Sequence, residues 1–148
     1  SRLEPVEVAD HALPGRISGR GVLLGHFGNG PEGLTVAVAP LSLGAQSRRM
    51  QLDFIAELLQ DFPNAVLMGD FNCVVDCPEM GNLFRRTRLQ PPACAVHTFP
   101  AWKPMRAIDH ILVSDSLRCE GLRAVPAAFS DHLALSLNLE VPESALQR

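Results

Sequence analysis

A chain of 148 residues, 47% hydrophobic and 20% charged, is long enough to bury a real core and reads as a globular domain. No apolar run approaches the ~18 residues of a membrane span, and a formal net charge of −3 gives no global attraction to nucleic acid. Lys103 is the only lysine and Trp102 the only tryptophan, and tyrosine is absent, so a base-stacking surface is disfavoured as well.

Residues 1–16 are polar and broken by Pro5, Pro14 and Gly15, which predicts an extended lead-in. Gly21 to Phe27 reads as a strand. The turn-rich Gly28-Asn29-Gly30-Pro31-Glu32-Gly33 then connects it to a second strand, Leu34 to Ala39, in a β-hairpin. Leu52, Ile55, Ala56, Leu59 and Phe62 fall at helical spacing. Ser42 or Ser47 is the candidate cap of that helix, and Pro63-Asn64 its stop. Ala65 to Met68 forms the next strand and runs into Gly69-Asp70-Phe71-Asn72. A strand, a helix and a strand in that order suit neighbouring strands with the helix packed on the sheet.

From Pro78 to Pro92 the chain is loop-like, with a short helix near Glu79–Phe84 and a basic cluster at Arg85, Arg86 and Arg88. That cluster reads as a solvated loop rather than a phosphate grip, and Arg48 and Arg49 as anchors of the long helix. Ala95 to Pro104 is a rigid loop in which Trp102 serves as a packing anchor. Ala107 to Val113 has apolar residues on both faces, as in a buried strand. Leu117 to Val125 is a strand interrupted by Gly121, and Leu133 to Val141 alternates strictly, as a half-buried strand does. No repeat or linker divides the chain, so residues 1–148 are read as a single domain.

Cys73, Cys77, Cys94 and Cys119 show no zinc-ligand spacing and read as small buried thiols in a reducing compartment. No basic-then-apolar leader is visible, and a cytoplasmic location is the expectation. His97 and His110 read as packing or surface residues, and His11 and His26 have no partner pattern.

Three polar groups stand at strand ends or inside strands. Asp70 and Asn72, two apart in an extended chain, point the same way and can hold a metal or a water against a phosphate; they also make good turn residues after a strand. Asp109 is embedded among Ile108 and Ile111, which is costly unless the carboxylate is paired. A hydrogen bond from His132 would satisfy it and fix the imidazole tautomer, leaving Asp131 to face a cation. Ser130-Asp131-His132 alone also reads as a strand-entry turn.

Taken in order, the helix with Ser47-Arg48-Arg49-Met50-Gln51, then Gly69-Asp70-Phe71-Asn72, then Thr98-Phe99-Pro100 through Ile108-Asp109-His110-Ile111, and finally Ser130-Asp131-His132 resembles the endonuclease/exonuclease/phosphatase superfamily. The resemblance runs from Arg20 to Leu139 and rests on the joint occurrence of these motifs. It implies an α/β (α+β) two-sheet sandwich of the deoxyribonuclease I-like type, here without its front strands, so that residues 1–148 are the C-terminal portion of such a domain. It also implies Mg²⁺- or Mn²⁺-dependent hydrolysis of a phosphodiester or phosphomonoester by an activated water. By resemblance, Asp70 is the base or water-positioning carboxylate and Asn72 orients the water or a phosphate oxygen. Asp131, with Asp70 and Asn72, serves the metal, and His132 contacts the scissile phosphate with Asp109 as its orienting partner. The substrate would be a nucleic acid, a lipid or a small phosphodiester. The stretch from Trp102 to Arg106 looks like that of bacterial members acting on lipid or small phosphodiesters.

The sequence departs from the family pattern twice. The front strand with its Asn and the segment with its metal-binding Glu are not found; Asn29 lies in a hairpin loop, and Glu4 and Glu7 in the lead-in. Where many members carry a phosphate-contacting His, this chain has Ala39-Pro40-Leu41, and proline supplies neither proton nor N–H. The expectation is a chain that is incomplete as given and weakened or inactive in catalysis. The alternative is an inactive member kept as a binding or scaffold module. An exposed inner sheet face predicts a homodimer or a complex with a missing N-terminal half.

Overall fold

The computed structural model describes residues 3–147. Strands β1 (Glu7–Ala12), β2 (Gly21–Phe27), β3 (Leu34–Val38), β4 (Asn64–Asp70), β5 (Leu89–Gln90) and β6 (Asp109–Ser114) form one sheet in the order β1-β2-β3-β4-β6-β5. Strands β7 (Arg118–Val125) and β8 (Ala134–Glu140) pair antiparallel as a second, two-stranded sheet. Helix α1 (Ala45–Leu59) crosses from β3 to β4, which run parallel as the strand–helix–strand order predicts. A 3-10 turn at Pro78–Met80 leads into the short helix α2 (Gly81–Arg86).

The period-2 alternation of the central strands divides the core in two. Ala65 and Leu67 of β4 and Leu112 of β6 pack with Leu52, Ile55, Ala56 and Leu59 of α1. Val66 of β4 and Val113 of β6 lie on the opposite face with Leu34 and Leu117, against Leu137, Leu139 and Val141. The large sheet is thus a middle layer, with helices on one side and the small sheet on the other. This is why β4 and β6 carry apolar residues on both faces.

The residues from 7 to 12 are not a mere lead-in. They form β1, which pairs with β2 in the register Glu7↔His26 to Ala12↔Gly21. The strand is largely exposed, with Val8 turned to solvent, so no buried face writes an apolar alternation into its sequence. The cap of α1 also differs from expectation. Gly44 occupies the N-cap without a side-chain bond, while Ser42 is held away by Gln51, whose amide bonds both its backbone N–H and its hydroxyl, each at 2.9 Å. Arg48 anchors the helix as foreseen. Its buried guanidinium donates to the Ser42 and Leu43 carbonyls and pairs with Glu79 at 2.8 Å. Burial raises the Glu79 carboxyl pKa, but a backbone hydrogen bond, a hydrogen bond from Cys77 and the Arg48 guanidinium together outweigh it and hold it below its ordinary value.

The thiols are not uniformly buried. Cys73 is buried and Cys77 half-buried, whereas Cys94 and Cys119 are exposed. Burial, with the neighbouring Cys77, pushes the Cys73 thiol up to about 12. The basic cluster makes local bonds: Arg85 to Asn82, Arg86 to Gln60, and Arg88 to Asp115. No helix among the described residues is long and apolar enough to cross a membrane.

Candidate active site

The candidate residues meet where the two sheets come together. Asp70, the last residue of β4, lies directly opposite Asp109, the first residue of β6. Two carboxylates opposed across an antiparallel pair repel each other. His132, delivered by the turn just before β8, sits against both. Its Nδ1–H donates to Asp109 Oδ2 at 2.7 Å, and its Nε2 stands 3.9 Å from Asp70 Oδ2. Burial alone would lower the His132 pKa. The hydrogen bond to Asp109 and the charges of Asp109, Asp70 and Asp131 outweigh it and raise the value above 6.5.

Thr98 completes the group. Its fully buried hydroxyl donates to the same Asp109 Oδ2 that His132 uses. Its backbone carbonyl accepts Leu133 N–H at 2.8 Å, tying the loop to the segment that carries His132. Phe99 adds a ring contact to His132, with centroids 4.8 Å apart. The sequence offered one signal for Thr98: a small hydroxyl residue before an aromatic, within the stretch leading to Asp109.

Asn72 does not continue an extended chain. Its φ is +52°, a left-handed conformation that Asn tolerates better than most residues. Its backbone N–H bonds Asp70 Oδ1 at 2.9 Å in a side-chain-closed turn, and its Nδ2 donates to the Leu41 carbonyl at 2.8 Å. The turn fixes one Asp70 oxygen and leaves Oδ2 facing His132. Gly69, at φ +147°, allows the close approach this needs, because a Cβ there would stand 2.1 Å from the Ala39 carbonyl oxygen.

Pro40 flanks the same corner. Ala39 N–H bonds Met68 O at 3.0 Å and Leu41 N–H bonds Asp70 O at 2.8 Å, so exposed Pro40 lies between two residues laced to β4 beside Asp70. Arg20 secures this segment through Leu41 O at 3.0 Å. His110 turns to the opposite face. It is buried against Phe71 and donates to Cys73 O at 2.8 Å. Burial lowers its pKa, which fits a packing role.

Among the described residues, one cluster offers three metal-ligating atoms within 4.8 Å of one another: Asp70, Asp109 and His132. Asp109 Oδ2 already accepts two hydrogen bonds, which leaves Asp70 as the less encumbered carboxylate. A protonated His132 has no lone pair for a metal, so the half-exposed Asp70 carboxylate is the group that fits a hard divalent cation keeping most of its waters. Asp131 is exposed and stands outside the cluster, although its charge reaches His132.

Trp102 is not a packing anchor. It is 78% exposed on the loop tip that follows Phe99.

The sequence model described as Endonuclease/Exonuclease/phosphatase family matches residues 1–132. No curated protein matches the chain by sequence. Among solved structures, a functionally unknown conserved protein from Enterococcus faecalis superposes with a TM-score of 0.78 at 19% identity, over 93% of this chain and 67% of its own. The mannosyl-6-phosphatase of Bacteroides thetaiotaomicron gives a TM-score of 0.74 at 18% identity, over 94% of this chain and 67% of its own. D. rerio TDP2, complexed with single strand DNA product, gives 0.72 at 13% identity, over 94% and 69%. These are likenesses of fold: a mixed α/β architecture with a large and a small sheet. The chain spans about two thirds of the length of these structures.

Proposed function

The chain belongs to the endonuclease/exonuclease/phosphatase family, and on that premise we propose that its Asp70–Asp109–His132 corner hydrolyses a phosphoester with a divalent metal. The observation that carries this reading is the placement of His132 Nε2, 3.9 Å from Asp70 Oδ2 while Nδ1 is held by Asp109. At that spacing a water touching both groups from the open side can accept from the imidazolium N–H and donate to the carboxylate.

In this proposal the Asp70 carboxylate positions the attacking water and takes its proton. His132, kept protonated by its neighbours, donates from Nε2 to a non-bridging phosphate oxygen as charge builds there. Asp109 holds the ring, and Thr98 holds Asp109. Asp70, with Asn72 and Asp131 at hand, would bind Mg²⁺ or Mn²⁺. When bound, such an ion would supply Lewis acidity toward a phosphoryl oxygen and would acidify water. The single domain over residues 1–148, its association with a second copy or another polypeptide, and a nucleic-acid, lipid or small-phosphodiester substrate belong to the same proposal.

One observation favours a second reading, a phosphoester-binding module with little chemistry. Pro40 occupies the rim beside Asp70 with no donor to offer. Calorimetric titration with Mn²⁺ separates the two. The hydrolase reading expects saturable binding that Asp70→Ala abolishes and Asp131→Ala weakens. Heat unchanged in both variants, or absent from the parent protein, would favour the binding module.

A further inference from the structure

The same rim carries a second feature that the chemistry does not use. Trp102 and Met105 are 78% and 64% exposed on the loop from Pro100 to Arg106, and Phe129 is fully exposed on the segment before His132. Large apolar side chains exposed on adjoining segments mark interaction surfaces. These are not loose ends. Ala101 N–H bonds the Asp131 carbonyl at 2.7 Å, and Met105 and Arg106 N–H both bond Phe99 O at 3.0 Å. Trp102 is one residue beyond Ala101, and Phe129 two before Asp131, so both leave the one stitched junction that also holds His132.

The charges of the loop say what would cover it. Lys103, the chain's only lysine, and Arg106 alternate with Trp102 and Met105, and all four are exposed. A tryptophan with neighbouring cations suits the boundary of a bilayer. There the indole lies at headgroup depth, the apolar side chains enter the acyl edge, and the long cationic stems reach back to the phosphates. A single-stranded nucleic acid fits less well. It needs a basic track and successive stacking faces, and this patch has two aromatics and two cations on a chain of net charge −3.

We propose that Trp102, Met105 and Phe129, with Lys103 and Arg106, form a docking surface for an anionic phospholipid bilayer. The surface brings the mouth of the Asp70–His132 corner against the lipid phosphates. Docking is read without turnover, so its failure would leave the hydrolase reading standing, and the failure of hydrolysis would leave docking standing.

Because Trp102 is the only tryptophan, the intrinsic fluorescence of the unaltered protein reports on this site alone. Vesicles of phosphatidylglycerol should shift the emission to the blue and protect it from acrylamide, and high salt should reverse much of the effect. Phosphatidylcholine vesicles should do little. In cosedimentation, Lys103→Glu and Phe129→Ala should each weaken binding to phosphatidylglycerol by roughly tenfold. Both positions are exposed, so circular dichroism should be unchanged. No shift with phosphatidylglycerol, equal binding by parent and variants, or a response to oligothymidylate with none to vesicles would each overturn the proposal.

Discussion

Asp109 and His132 are joined across the gap between the sheets by a 2.7 Å hydrogen bond from Nδ1 to Oδ2. Asp109 begins a strand of the large sheet, and His132 precedes a strand of the small one. The bond couples the packing of the two sheets to the orientation of one imidazole. Replacing Asp109 by Asn should leave the ring without its anionic partner and lower metal-dependent phosphodiester hydrolysis on the order of 10²–10⁴-fold. Steady-state kinetics should show the loss mainly in kcat.

The same pair fixes a pH dependence. The His132 pKa is raised in the folded protein, so folding favours the protonated ring. The resulting stabilisation is fully present below the ordinary value of 6.5 and is lost as pH rises through the raised value. The stability difference between the parent protein and Asp109→Asn, measured by urea denaturation, should therefore shrink as pH rises above 6.5 and passes through the raised value. The alkaline limb of kcat/KM should move to lower pH in the variant.

Arg48 and Glu79 form a buried pair, and Arg88 and Asp115 an exposed one, each at 2.8 Å. Breaking the buried pair by Glu79→Ala strands a guanidinium next to the Leu43 carbonyl and should cost ~3–5 kcal/mol. Asp115→Ala should cost no more than ~1 kcal/mol, since water screens that pair already. Chemical denaturation of the two variants side by side tests the contrast.

Gly69→Ala should destabilise the protein by roughly 2–4 kcal/mol, because it combines an unfavourable φ with a collision against backbone. The Ala39 carbonyl cannot move aside as a flexible side chain would; Ala39 is bonded to Met68 and its neighbour Leu41 to Asp70. A lowered Tm accompanied by loss of Mn²⁺ binding would show that the close approach also sets Asp70.

Much of this arrangement was legible in the sequence. The two-faced apolar character of Ala107 to Val113 announced a buried central strand, and the embedded Asp109 demanded the partner that His132 provides. The leucine alternation from Leu133 to Val141 gave the small sheet, because burial on one face leaves a period of two. The rest was hidden for physical reasons. Strand β1 lies at an exposed edge and β5 has two residues, so neither imposes a pattern. The left-handed turn at Asn72 follows from hydrogen bonds to Asp70 and Leu41, the second of which links residues far apart in the chain. Thr98 acquires its role only when the loop closes on Asp109. Trp102 looked like a packing anchor because an isolated tryptophan usually finds a core, and its exposure follows from the loop's stitching.

In the proposed hydrolysis Asp70 and His132 act on one phosphoester. Release of p-nitrophenolate from bis-(p-nitrophenyl) phosphate, with Mn²⁺ or Mg²⁺ and with a chelator as blank, tests it most directly. Hydrolysis should require the metal and fall at least on the order of 10²-fold in both Asp70→Ala and His132→Ala. Pro40 should keep the parent rate low without abolishing it. No metal-dependent hydrolysis by the parent protein, or hydrolysis that survives both substitutions, would contradict it.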